Sequence, residues 1–398
     1  MKRILAIVLV LVMVLGVAAG CKKDEDTFKV GFICLHDENS TYDLNFINAI
    51  DEAKEALGLK DDQIVIKKNV AETQDCYDTA ADLVDEGCDV IFANSFGHED
   101  FMIQAAKKFK DVEFCHATGV KAASQKLDNF HNAFASIYEG RYLAGVAAGM
   151  KLNEMIADGK ITAEQAKIGY VGAFTYAEVI SGYTSFYLGA KSECPSVTMD
   201  VRFTGSWYDP QLEQEAAESL IGSNCVLISQ HADSMGAPSA CESKGVPNVS
   251  YNGSTVANCP NTFIIASRIN WAPYYEYMIE CAQNDKAIDA NWTGTISTES
   301  VLLTDVNDKV AAEGTAAKIA EVKDELVAGT RHVFDTSTFT LSADKNEGAT
   351  VDADGHLTSY KYEGEEVVKD GYFSESTVIS APYFSLDIDG ITRLDEKF

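Results

Sequence analysis

From Lys29 onward the chain alternates short apolar runs with amphipathic segments. Val30–Cys34, Ile64–Ile66, Val90–Ala93 and Val112–His116 have the length of buried strands. Between them, Asp43–Leu57, Thr73–Glu86 and Asp100–Lys107 read as helices; in the first, Phe46, Ile47, Ile50 and Ala53 recur at helical spacing. The order strand, helix, strand predicts a parallel sheet with helices on both faces. Near Tyr138 the rhythm changes. Glu139–Met150, EGRYLAGVAAGM, reads as a helix dense in Gly and Ala that can pack closely on another element. The alternation then restarts: strand Ile168–Val171, helix near Glu178–Ala190, strand Val197–Phe203, helix Pro210–Ile221, strand Val226–Ser229, helix Gly236–Lys244, strand Val249–Tyr251 and strand Thr262–Ile269. Asp209 before Pro210 is a strong helix start. Lys309–Val327 reads as a long helix. The tail from Arg331 is turn-rich, and Asp354-Gly355, Asp370-Gly371 and Asp389-Gly390 predict hairpins.

Two runs of one alternation predict an α/β fold of two doubly wound parallel-sheet lobes joined by a hinge, with extra β hairpins at the C-terminus. The expected boundaries are 28–150 plus 268–300 for the first lobe, and 160–265 plus 301–398 for the second. In such folds ligands bind at the carboxyl ends of the strands. The loop after the first strand carries Tyr42, Asn45 and Phe46, two aromatic faces and an amide suited to a flat, neutral, hydrogen-bonding ligand.

The N-terminus stands apart from this pattern. Lys2 and Arg3, an apolar run from Ile4 to Val17, and the small residues Ala18, Ala19 and Gly20 form a signal segment, 1–20, followed at once by Cys21. This resembles a bacterial lipoprotein signal, which implies lipidation of Cys21, a polar tether over 21–27, and an extracytoplasmic body anchored to the cell membrane. No other stretch has the roughly 20 apolar residues of a membrane span. The formal charge is −29, with 61 acidic against 32 basic residues, so nucleic acid is not an expected partner. The nine cysteines besides Cys21 are odd in number and irregularly spaced, which is not a disulfide framework; Cys34, Cys115 and Cys225 read as core residues.

Catalytic signatures are missing. There is no G-x-S-x-G, no phosphate-binding G-x-x-x-x-G-K, no H-E-x-x-H and no G-x-G-x-x-G. His98-Glu99-Asp100 and His231-Ala232-Asp233 are the tight His–carboxylate groupings, and both read as capping or polar-loop groups rather than metal ligands. No metal, no cofactor and no enzymatic activity are expected. Aromatic residues paired with polar ones instead recur at the ligand edge of both halves: Ser95 and Phe96, Phe174 and Glu178, Trp207, Asp233, Asn252, and Trp271. Aromatic faces can sandwich a heterocycle at about 1–3 kcal/mol per base. Asn presents one donor and one acceptor to a purine edge, and a carboxylate can accept from two ribose hydroxyls.

Seven stretches, in order, resemble the basic membrane protein family of lipoproteins. They are NSFGHED (94–100), FCHATG (114–119), YEGRYLAGVAAG (138–149), IGYVGAF…EVISG (168–182), GSWYDP…EAAESLI (205–221), ISQHADS (228–234) and NWAPYY (270–275). The first loop, HDENSTYDLNF, departs from the aspartate-glycine-rich loop usual in that family. The resemblance covers roughly Lys29 to Gln283. It implies a fold like type I periplasmic binding proteins, and a substrate-binding component of an ABC importer that captures a purine nucleoside or nucleobase and delivers it to a permease. By motif, it makes Phe46, Phe96, Trp207 and Trp271 stacking or wall residues, and Asn45, Ser95, Glu178, Asp233 and Asn252 polar contacts. Other readings of the same residues are a sensor signalling to a membrane partner, a binder of a flavin or sugar, and a nucleoside-cleaving enzyme.

Overall fold

A computed structural model describes residues 28–395, so the expected signal segment, the tether and Cys21 lie outside the described residues. The first half of the chain forms strands β1 (Val30–Ile33), β2 (Ile64–Lys67), β3 (Val90–Ala93), β4 (Glu113–Ala117) and β5 (Phe130–Ala135). The second half forms β6 (Lys167–Gly172), β7 (Thr198–Phe203), β8 (Leu227–His231), β9 (Asn248–Tyr251) and β10 (Phe263–Ile269). Two later strands are split between the halves: β11 (Asn291–Gly294) and β12 (Val301–Leu303).

The first sheet has the order β11-β5-β4-β3-β1-β2 and is parallel throughout. The second runs β12-β10-β9-β8-β6-β7 and ends on a strand from the C-terminal tail, Ile391–Arg393, parallel to β7; only β12 is antiparallel. Each sheet reverses its winding around one strand. β1 lies between β2 and β3, and β6 between β7 and β8. Those are the two switch points where doubly wound sheets bind ligands. The chain passes between the lobes after β5, after β10 and between β11 and β12, which makes a three-stranded crossing.

Local chemistry explains the elements. Ser40 caps the helix Thr41–Leu57 by accepting from the Asp43 amide, and Gly58, at φ 67°, ends it in the left-handed region. Asp209 caps Pro210–Gly222 by accepting from the amides of Gln211 and Leu212. The Gly/Ala-rich helix is Ile137–Ala157. It packs closely along the helix Ala177–Glu193. A Cβ on Gly145 would lie 2.0 Å from the carbonyl oxygen of Phe186, and one on Gly189 2.0 Å from that of Tyr142.

β5, FHNAFA, is absent from the sequence reading because His131 and Asn132 break its apolar run, yet all six residues are buried. In the tail, Asp354-Gly355 and Asp370-Gly371 lie inside short antiparallel hairpins, Thr350–Val351 with Leu357–Ser359 and Val368–Lys369 with Tyr372–Phe373. Asp389-Gly390 does not form the expected hairpin. It leads instead into the parallel edge strand, because the open edge of β7 offers backbone partners, beginning with the Met199 amide donating to the Gly390 carbonyl at 2.9 Å. The nine described cysteines are all buried and unpaired. No described helix is long and apolar enough to cross a membrane.

Candidate functional site

The loops at both switch points converge on one narrow cavity of about 30 Å³. From the first lobe come Leu35, His36, Tyr42 and Asp43 after β1, Ser95 and Phe96 after β3, and Thr118 after β4. From the second come Tyr176 and Glu178 after β6, Trp207 after β7, His231 and Asp233 at the end of β8, and Tyr251 at the end of β9. The fold forces this convergence, since every parallel strand of a lobe delivers its following loop to the same edge.

Aromatic rings join the lobes across this space. Phe96 of the first lobe stacks on Tyr176 of the second, with centroids 4.7 Å apart and planes at 24°. Tyr176 stacks in turn on Phe174 at 5.0 Å, and Phe174 meets the edge of Trp207 at 5.0 Å. His36 and Tyr208 meet across the lobes at 5.4 Å.

Polar groups fill the rest of the wall. Asp43 accepts from Nδ2 of Asn94 at 2.7 Å and from the His36 amide at 3.1 Å, and its Oδ2 lies 3.4 Å from His36 Nδ1. Burial works to raise its pKa, but the bonds from His36, Asn94 and Ser40 prevail and hold it below the ordinary value. Asp233 goes the other way. Burial first, then the charges of Glu213, Asp43 and Glu178, push its carboxyl well above the usual carboxylate range, against the Asn252 amide donating to Oδ1 at 3.1 Å. Glu178 Oε1 pairs with His231 Nε2 at 2.9 Å. The hydroxyls of Tyr42, Ser95 and Thr118 are committed to protein acceptors: the Asn94 carbonyl at 2.7 Å, Glu72 at 2.6 Å and the Ala117 carbonyl at 2.6 Å. No Lys or Arg lines the cavity among the described residues.

One cation sits behind the wall. Arg141 is fully buried, and its Nη2 donates to the Tyr170 hydroxyl at 2.9 Å and to Ser229 Oγ at 2.8 Å. Its guanidinium lies 5.0 Å from the ring of Tyr251, a residue that lines the cavity.

Of the residues singled out from the sequence, Tyr42, Ser95, Phe96, Glu178, Trp207 and Asp233 lie together at the cavity. Phe174 backs the wall without lining it. Phe46 and Trp271 do not reach the cavity. They stack on each other at 4.4 Å and 22° within the aromatic core that also holds Phe92, both essentially without exposure. Asn45 and Asn252 are held by each other and by protein groups: Asn45 Nδ2 donates to the Asn252 carbonyl at 2.8 Å. Leu35, His36, Asp43, Thr118, Tyr176, His231 and Tyr251 also line the cavity, beyond the residues expected there. A strand-end position was the signal available for His231 and Tyr251. The two His–carboxylate groupings serve the structure differently: His98 pairs with the Val70 carbonyl, and Glu99 accepts from the amides of Val120 and Lys121.

A model of the family described as ABC transporter substrate-binding protein, PnrA-like, named Bmp, matches residues 32–330. A purine-binding protein of Brucella abortus is 36% identical over 259 residues, covering 64% of this chain and 69% of that one. A putative ABC transporter glucose-binding protein of Haloferax volcanii is 34% identical over 207 residues, 52% of this chain and 49% of that one. Among solved structures, an ABC transporter solute-binding protein from Aeropyrum pernix superposes with a TM-score of 0.63 at 14% identity, covering 76% of this chain and 92% of that one; this likeness concerns the fold alone.

Proposed function

The chain belongs to the Bmp family of ABC transporter substrate-binding proteins, and from that premise we propose that it captures a purine nucleoside or nucleobase between its two lobes and presents it to an ABC permease. The observation that carries this reading is the make-up of the cavity. Tyr42 of the first lobe and Trp207 of the second supply aromatic rings beside the Phe96–Tyr176–Phe174 stack, while Glu178 and Asp233 supply polar contacts. Such walls fit a planar heterocycle with several hydrogen-bonding groups. Without Lys or Arg in the lining, a phosphorylated nucleotide would meet carboxylates rather than cations, which favours an unphosphorylated nucleoside or base over a nucleotide.

Both lobes contribute to the wall, so a ligand makes its full set of contacts only with the cleft closed, and binding shifts a hinge equilibrium toward that state. The closed form is what the permease recognises. We further propose that the mature chain begins at Cys21, lipidated and anchored outside the cytoplasm; palmitate labelling that survives Cys21→Ser would contradict this.

Calorimetric titration of the full chain with purine nucleosides, purine bases, flavins and sugars tests the ligand. Saturable binding of one purine compound per chain is expected. The glucose-binding name of the Haloferax relative favours a second reading, a sugar, and binding of a sugar with no purine response would establish that reading instead.

A further inference from the structure

We propose that Thr41, Asn45 and Asn252 form an inter-lobe clasp that closes the cleft before ligand arrives and sets the position of Asp233. This rests on the reading of the cleft as the binding site, but not on which ligand enters it.

Three hydrogen bonds tie the start of the first-lobe helix Thr41–Leu57 directly to second-lobe loops. The Thr41 amide and the Thr41 hydroxyl each donate to the Asp233 carbonyl at 3.1 Å. One helical turn on, Asn45 Nδ2 donates to the Asn252 carbonyl at 2.8 Å. Residues four apart share a helix face, so one rigid edge carries all three donors. Asn45 and Asn252 are both buried, so the bond between them is shielded from water, while the Thr41 hydroxyl bond is half-buried.

The receiving side is built as a unit. Asn252 sits at φ 64°, in the left-handed region that Asn tolerates and most residues avoid. Its amide donates to the Ser267 carbonyl at 2.9 Å, which fixes the turn and leaves its own carbonyl facing Asn45. Its side chain donates to Asp233 Oδ1 at 3.1 Å, and the Asp233 amide donates to the Trp207 carbonyl at 2.9 Å. Two cavity residues, Trp207 and Asp233, are therefore wired to the piece that Thr41 and Asn45 grip. Opening the cleft breaks all three clasp bonds and frees the Asp233 carbonyl. Closing restores them, whether or not a ligand is present. Thr41, Asn45 and Asn252 act through Asp233 and through the closed population, as positioning residues that do not line the cavity.

The consequence is a pre-closed fraction in the empty protein. Apparent affinity scales with that fraction, and losing one buried hydrogen bond lowers it by about two- to tenfold.

The test is a spin-label distance measurement on the full chain without ligand. Labels are placed through Asp75→Cys on the first lobe and Glu215→Cys on the second, both exposed positions. The parent should show a major short-distance population. Asn45→Ala and Thr41→Val should each shift it toward longer distances, Thr41→Ser should keep the parental distribution, and purine titration should show a matching two- to tenfold loss of affinity for the first two. A parent that is wholly open without ligand, or variants that keep the parental distribution, would overturn the clasp. If Asn45→Ala does not fold, the Thr41→Val and Thr41→Ser pair decides alone. The distance arm contains no ligand, so a failure of purine binding would count against the ligand reading and leave the clasp standing on its own result.

Discussion

Trp207 and Phe46 are two aromatic residues of one sequence-level kind that the structure puts to different uses, and paired alanine variants separate them. Trp207 is half-buried at the cavity wall, held by edge contacts to Phe174 at 5.0 Å and Tyr176 at 5.9 Å. Removing its ring takes away one stacking face, about 1–3 kcal/mol, or roughly five- to 150-fold in Kd. The structural loss is about 2 kcal/mol at most, two aromatic contacts of about 1 kcal/mol each at a partly solvated position, which is below the cost of emptying a core site. Phe46 has no exposure and is packed among Trp271 at 4.4 Å, Tyr42 at 4.8 Å and Phe92 at 5.8 Å. Its truncation leaves a cavity in the first-lobe core and costs about 3–5 kcal/mol of stability. Calorimetric purine titration well below the melting temperature, alongside thermal unfolding, reads both quantities. Trp207→Ala should lose affinity with a small change in Tm, and Phe46→Ala should lose several degrees of Tm with a smaller change in affinity. Affinity unchanged in Trp207→Ala, or a large affinity loss at unchanged Tm in Phe46→Ala, would refute the division of roles.

Gly145→Ala should destabilise the second lobe by about 1–3 kcal/mol, because the new Cβ would stand 2.0 Å from the Phe186 carbonyl oxygen and the two helices would have to part; an unchanged Tm would contradict that packing. Burial pushes the Glu375 carboxyl up to about 8, even though the amides of Tyr383 and Phe384 donate to its Oε1. Between its ordinary value of 4.5 and about 8 the unfolded chain binds fewer protons than the folded one, so this group's share of stability falls as pH rises through that window and levels off above it. Glu375→Gln should therefore gain on the parent progressively from pH 4.5 to 8, by a few kcal/mol at most at about 1.4 kcal/mol per pH unit; parallel urea-unfolding profiles across that range would contradict the shift.

The alternation of apolar runs was enough to read both sheets, because buried parallel strands such as VGFI and VIFA have no polar face to confuse the pattern. β5 escaped it through His131 and Asn132, whose side chains are buried with partners: His131 pairs with Glu113 at 2.8 Å and Asn132 accepts from the Ala122 amide at 2.8 Å. At the site, knowing that a residue follows a strand locates the edge but not the direction of its side chain. Tyr42 and Phe46 are one helical turn apart, yet Tyr42 lines the cavity while Phe46 turns to the core. Asn45 and Asn252 have the chemistry of ligand contacts, and only their separation in space shows that they bond to each other. Tyr176 was passed over because a single exposed loop tyrosine carries no pattern; its partner Phe96 is 80 residues away in the chain and belongs to the other lobe. The tail from Arg331 lies beyond the family match. Its final strand could not be read as parallel, since the β7 edge it completes is distant in sequence.

The most direct measurement is a crystal structure of the full chain with a purine nucleoside bound. The account predicts the ring in the inter-lobe cavity, with a face against Trp207 and polar edges within hydrogen-bonding reach of Asp233 and Glu178. A nucleoside bound outside that cavity, or a cavity that stays filled by its own side chains while the compound binds elsewhere, would contradict it.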